Sequence, residues 1–86
     1  MVTAIVLITA EPGRVAALGQ ELADTKGVYA AYSVAGEEDL VALVRAVAHE
    51  ELADIVTSRI ASLAGITGTR TLIAFRAYSS EDLANI

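Results

Sequence analysis

The 86-residue chain predicts an α+β domain of the ferredoxin-like class, βαββαβ, with a four-stranded antiparallel sheet and two helices on one face. Three observations carry this prediction. Two stretches with helical spacing of apolar residues each lie between strand-like runs. Those runs are rich in β-branched residues and apolar on both alternations. The length leaves room for a single modest core.

The first strand is Val2 to Thr9 (VTAIVLIT), read as a central strand buried on both faces. Glu11-Pro12-Gly13-Arg14 opens a helix, with Pro12 in the first turn, where its missing N–H is harmless. Val15, Leu18 and Leu22 give that helix an apolar face, and Lys26-Gly27 stops it, Gly27 suiting a left-handed cap. Val28 to Ala35 then alternates, with Val28, Ala30, Tyr32 and Val34 on one face and Tyr29, Ala31 and Ser33 on the other. A polar turn, Gly36 to Asp39, joins it to an apolar strand from Leu40 to Ala48, which makes a hairpin.

Glu50 and Glu51 suit the first turn of a second helix, where they complement its dipole. Leu52, Ile55, Val56, Ile60 and Leu63 share one face of it, and Gly65 ends it. The last strand is expected from Thr69 to Tyr78, with Thr71, Ile73 and Phe75 on one side and Leu72, Ala74 and Arg76 on the other. Ser79-x-x-Asp82 is a loose capping pattern for a short terminal turn. The domain is thus expected over 1–78, followed by a tail, 79–86. The halves match at the level of elements, with no convincing sequence repeat.

Hydrophobic residues make up 55% of the chain, against about 45–50% in ordinary globular proteins. Two helices cover only one face of a four-stranded sheet, so the other apolar face requires a cover. A second subunit stacked sheet against sheet supplies it, giving a dimeric αβ sandwich. The net charge is −5, and the six basic residues form no stripe. Direct nucleic-acid binding and docking on an anionic membrane are therefore not expected.

The absence of cysteine excludes disulfides and thiol chemistry. The apolar opening is about eight residues long and leads into Glu11 and Pro12, so it is neither signal peptide nor membrane span. A soluble cytoplasmic protein is expected. His49 is the only histidine and has no partner in a metal or triad spacing, which leaves it a role at a helix boundary. No cofactor or metal is implied, and the Gly36 turn joins two strands rather than preceding a helix as a phosphate loop does.

Two segments carry a resemblance. Val34-Ala35-Gly36-Glu37-Glu38-Asp39-Leu40 resembles the hydrophobic-x-Gly-x-aromatic-Asp-hydrophobic hairpin of the effector-binding (RAM) domain of the Lrp/AsnC transcriptional regulators. Leu63-Ala64-Gly65-Ile66-Thr67-Gly68-Thr69-Arg70-Thr71-Leu72-Ile73 resembles that family's leucine-proline-glycine-valine and T-R-T strand opening. The similarity runs from about Val2 to Ala77. Glu38 stands where the family often has Tyr or Met, and Ala64 where proline is usual. Met1 leads straight into the first strand, so a stand-alone domain without the helix-turn-helix is expected.

The resemblance implies dimers that join into rings, commonly octamers, with a small-molecule effector, often an amino acid, bound between dimers. It implies a ligand site of Gly36, Glu38, Asp39, Arg59, Thr69, Thr71, Leu72 and Ile73. In that site Asp39 would hold an ammonium, the Gly36 amide with the Thr69 and Thr71 hydroxyls a carboxylate, and Arg59 would reach the same carboxylate. A full-length Lrp/AsnC regulator is an implied partner. Structural readings stand beside these: Asp39 as a turn residue bonding its own backbone, the threonines as strand formers, Gly36 as a positive-φ position. Arg70 and Arg76 are expected to serve structure or solubility, one pairing across an interface. Tyr29 and Tyr32 fall on opposite strand faces, at least one at a subunit contact.

The leading function is a non-enzymatic effector-binding and oligomerisation module that modulates transcription without binding DNA itself. The alternative is a small cofactor-free dimeric α+β barrel enzyme, monooxygenase- or isomerase-like, which needs a polar cleft between sheet and helices. A structural subunit without ligand is a third reading.

Overall fold

The computed structural model describes residues 1–80. Strand β1 (Val2–Ala10) pairs antiparallel with both β3 (Leu40–Ala46) and β4 (Ile66–Ala74), and β2 (Val28–Ser33) closes the other edge, giving the order β2-β3-β1-β4. With helix α1 (Val15–Ala23) and helix α2 (His49–Asp54), the element order is the expected βαββαβ. Alternation sets the layers. Ala4, Val6 and Ile8 of β1 pair with Val44, Ala42 and Leu40 of β3, and all six are buried beneath the helices. Leu18, Leu22, Leu52, Ile55 and Ile60 close that core from the helix side. Ile5, Leu7, Val41 and Leu43 point the other way and stay half-buried on an uncovered face.

A 3₁₀ turn, Pro12–Arg14, leads into α1, which ends at Ala23 rather than at Gly27. The cause is Thr25: its amide donates to Leu22 O and its hydroxyl to Glu21 O, so the last carbonyls are satisfied early. Gly27 instead turns the chain into β2 at φ +100°, with its carbonyl accepting from Arg45 N–H.

The simple alternation expected of β2 is broken by a bulge: Val28 pairs with Val44, but Ala30 pairs with Leu43. Val28 and Ala31 consequently face the helices. Tyr29 and Tyr32, expected on opposite faces, both border the open side. The Tyr29 ring lies under the Arg45 guanidinium, 4.3 Å from centroid to carbon, a contact that holds the bulged residue outward.

Strand β3 stops at Ala46, two residues short of expectation, because the next helix claims the chain. Val47 N–H donates to Glu51 Oε1 at 3.0 Å and Leu52 N–H to Ala48 O. Helix α2 continues without a break into a π-helical segment, Ile55–Ile60, where Ala61 N–H reaches back to Val56 O. This wider turn buries Ile55 and Ile60 together and lets Arg59 pair with Asp54, five residues back, at 3.1 Å.

Strand β4 begins three residues before the expected Thr69 and ends four before Tyr78. At its start, Gly65 at φ +96° turns the chain while its carbonyl accepts from Glu11 N–H, so Ile66 is already in register with Ala10. At its end, Ala74 pairs with Thr3, and the pairing with β1 stops there. The suggested cap at Asp82 lies outside the described residues.

Gly27 is held by conformation and by space at once: a Cβ there would collide with Ile55 Cδ1. Gly27→Ala is expected to cost about 2 kcal/mol or more by urea denaturation. Gly13→Ala, where a Cβ meets nothing within 4 Å, is expected to be nearly neutral.

Candidate functional site

Strand β4 is an edge strand, and the second helix covers β1 and β3 more fully than it covers β4. Thr71 and Ile73 pair with Val6 and Ala4, so their side chains rise on the helix side, yet both remain exposed. The gap between them and the second helix is a trough of about 340 Å3, lined by His49, Leu52, Ala53, Val56, Thr57, Thr71 and Ile73. Its walls are aliphatic. Its polar groups are the imidazole and two threonine hydroxyls, and that of Thr57 already donates to Ala53 O at 2.6 Å. Small-molecule sites of about 300–1,000 Å3 have this composition, an apolar lining with a few polar groups that fix orientation.

The 36–39 turn lies elsewhere. Asp39 knits the hairpin to β1 through two hydrogen bonds, Ala10 N–H donating to its Oδ2 at 2.8 Å and its own N–H donating to Ile8 O, and closes the hairpin through a third, in which Val34 N–H donates to its carbonyl. Glu38 reaches across β1 to Arg70 at 2.5 Å, tying the turn to β4. Gly36 has φ +150°, and a Cβ there would meet nothing within 4 Å, so it is the backbone conformation and not space that favours glycine in the turn. Gly68 is a close-approach position, since a Cβ there would meet Thr9 Oγ1 at 2.9 Å. Around it Thr9 donates to Gly68 O and Thr67 donates to Thr9 Oγ1.

The predicted residues therefore fall into separate groups. Thr71 and Ile73 share the trough, and Thr69 is on the same side of β4 but outside its lining. Leu72 pairs with Ile5 and projects onto the open face. Glu38 and Asp39 sit with the ends of β1 and β4. Arg59 is committed to the α1–β2 turn, donating to Lys26 O at 2.7 Å besides its pair with Asp54. Of Arg70 and Arg76, one of which was expected to pair across an interface, Arg70 pairs within the chain, with Glu38.

The sequence reading missed the helical wall of the trough. Its signal was present: His49, Ala53 and Thr57 recur every four residues, beside the apolar stripe of Leu52 and Val56. A second hollow, of about 590 Å3, lies on the open face of the sheet between Tyr29, Tyr32, Ile5 and Arg76.

Comparison with known proteins bears on what these surfaces are for. The model of the Lrp/AsnC ligand binding domain matches residues 3–83. An HTH-type transcriptional regulator of Pyrococcus furiosus is 34% identical over 76 residues, covering 85% of this chain and 51% of that protein. The chain thus spans about half the length of this curated relative. The crystal structure of TTHA0845 from Thermus thermophilus superposes with a TM-score of 0.86 at 53% identity, over 92% of this chain and 99% of that one. The feast or famine regulatory protein of M. tuberculosis, complexed with L-methionine, gives 0.78 at 33% identity, over 95% of this chain and 56% of that one. The bulge, the π-helical segment and the trough are details of a fold whose affiliation these matches show: the chain belongs to the Lrp/AsnC ligand-binding-domain family.

Proposed function

We propose that this chain is a non-enzymatic module that binds an amino acid and assembles with copies of itself, influencing transcription without touching DNA. The observation that carries the reading is the apolar trough with Thr71 and Ile73 along one wall. An aliphatic or thioether side chain fits such walls, and the M. tuberculosis relative, which shares the fold, was captured with L-methionine.

A zwitterion also needs charged or strongly polar partners, which the trough of one chain supplies only sparingly. The 36–39 turn of a neighbouring copy supplies them: Asp39 Oδ2 is engaged with Ala10, and Oδ1 is the oxygen left to accept from an ammonium. The Gly36 amide, Thr69 and Thr71 then serve the carboxylate. The site is complete only between copies, in keeping with a domain, 1–78, whose uncovered sheet face seeks a second subunit and whose dimers join into a ring of eight. A full-length regulator of the same family is the partner through which such a ring would act.

The charge distribution supports indirect action. The net charge is −5, and Arg14, Arg59 and Arg70 are each spent on an internal carboxylate. No helix among the described residues is long and apolar enough to cross a membrane. The enzyme alternative would need a polar cleft between sheet and helices; the centre of that space is filled by Leu18, Leu22, Ile55 and Ile60, and the trough beside it is lined mainly by apolar surface.

A thermal-shift screen against the twenty amino acids tests the reading. One or two aliphatic or sulfur-containing amino acids are expected to raise the melting temperature, with the shift growing as concentration passes Kd. Ala53→Trp, which fills the trough from an exposed helix position, is expected to abolish the shift while leaving the unliganded melting temperature within a few degrees. No shift with any amino acid would sink the proposal.

Asp39→Ala carries a second expectation. It leaves Ala10 N–H without its acceptor, so it should lower stability by about 1–2 kcal/mol in denaturant even without ligand. A loss of ligand response in that variant counts only after this cost is measured.

A further inference from the structure

The chain has four aromatic side chains, Phe75 and three tyrosines, and none is in its core, which is wholly aliphatic. Phe75 is 96% exposed, Tyr78 83%, Tyr32 55% and Tyr29 42%. Aromatic rings are the largest apolar groups a chain can bury, and they are enriched where one protein covers another. Their placement here is not scattered. Tyr29 and Tyr32 border the hollow on the open sheet face, and Phe75 and Tyr78 lie on the segment after β4. That segment leaves the sheet after Ala74 and passes over the same face, where Arg76 and Ala77 form part of the hollow's rim.

We propose that residues 75–78 are an exchanged arm. In a sheet-to-sheet pair of copies, Phe75 and Tyr78 of each copy seat in the hollow of the other, against its Tyr29 and Tyr32. This rests on the proposed homodimer and adds what closes it. One patch carries both the arm and its receptor, so a two-fold pair satisfies both and leaves no open end for a filament. Size agrees. With about 150–250 Å2 per ring, the four exposed aromatics offer about 500 Å2 per copy, or about 1,000 Å2 for the pair. Ile5, Leu43 and Leu72 on the same face carry the total into the range of about 1,200–2,000 Å2 typical of stable interfaces. Arg76 at the rim also presents a guanidinium to the faces of incoming rings.

Sedimentation velocity on the wild-type chain and on the Phe75→Ser, Tyr78→Ser double variant tests the arm. The wild type is expected to sediment as a dimer or a multiple of one. The double variant should dimerise at least about tenfold more weakly while its circular dichroism stays that of the folded chain, since neither ring touches the core. Because the chain has no cysteine, the exchange itself can be trapped. A Tyr78→Cys chain mixed with a Tyr32→Cys chain should give a disulfide-linked pair under mild oxidation. A wild-type dimer untouched by the double substitution, with no such cross-link, overturns the arm and leaves the dimer standing. A cross-link formed only within a single chain carrying both cysteines also overturns it, in favour of an arm folded on its own hollow. A wild-type monomer at high concentration would overturn both the arm and the dimer.

Discussion

The pairing of β1 on both its edges is the constraint on which the rest of the molecule depends. Its helix-side residues, Ala4, Val6 and Ile8, form the floor of the core. It sets the register of both neighbours: β3 pairs with it from Leu40 to Ala46, and β4 from Ile66 to Ala74, opposite Thr3. Its far end receives the Asp39 carboxylate at Ala10 and, next to it, the Gly65–Glu11 hydrogen bond. The motif residues of the hairpin and of the last strand opening are thus anchored to one strand, which explains why they recur together without forming one pocket.

Most of the architecture was legible in the chain. The helical spacing of Leu18 and Leu22, the apolar runs of β1 and β3, and the turn at Gly36 each point to one element, and the elements agree with one another. The differences have local causes. Ala30 and Ala31 are small enough for either face, so nothing in Val28–Ser33 marks the bulge; the stacking of Arg45 on Tyr29 is a tertiary contact. Ile66-Thr67-Gly68 reads as a loop until Thr9 is seen to occupy the space that a Cβ on Gly68 would need. The five-residue step from Ile55 to Ile60 was visible, but an α-helical reading absorbs it, and only the hydrogen bond to Val56 O shows the wider turn.

The site divides along the same line. Thr71 and Ile73 came from the family pattern and do line the trough. The opposite wall is built from His49, Ala53 and Thr57, a small and polar set that looks like an ordinary solvated helix face. Arg59 looked well placed on the helix but is drawn away by Lys26 O and Asp54, contacts that no local pattern announces. The sidedness of β4 was legible, with Thr71 and Ile73 on one face and Leu72 on the other; what the sequence could not display was that the second helix leaves the Thr71 side of β4 open.

The two walls of the trough are held by different means. One is a helix whose π-helical stretch has the wider, less regular hydrogen bonding of that conformation; the other is a strand paired on one edge only. Neither is clamped as firmly as β1 or β3, so the gap between them is the place where the molecule can breathe without disturbing its interior. An occupant of that gap would be felt first as a stiffening, with slower amide exchange along β4 and the end of the second helix, and whatever that stiffening transmits would pass to a neighbouring copy through the exposed outer edge of β4.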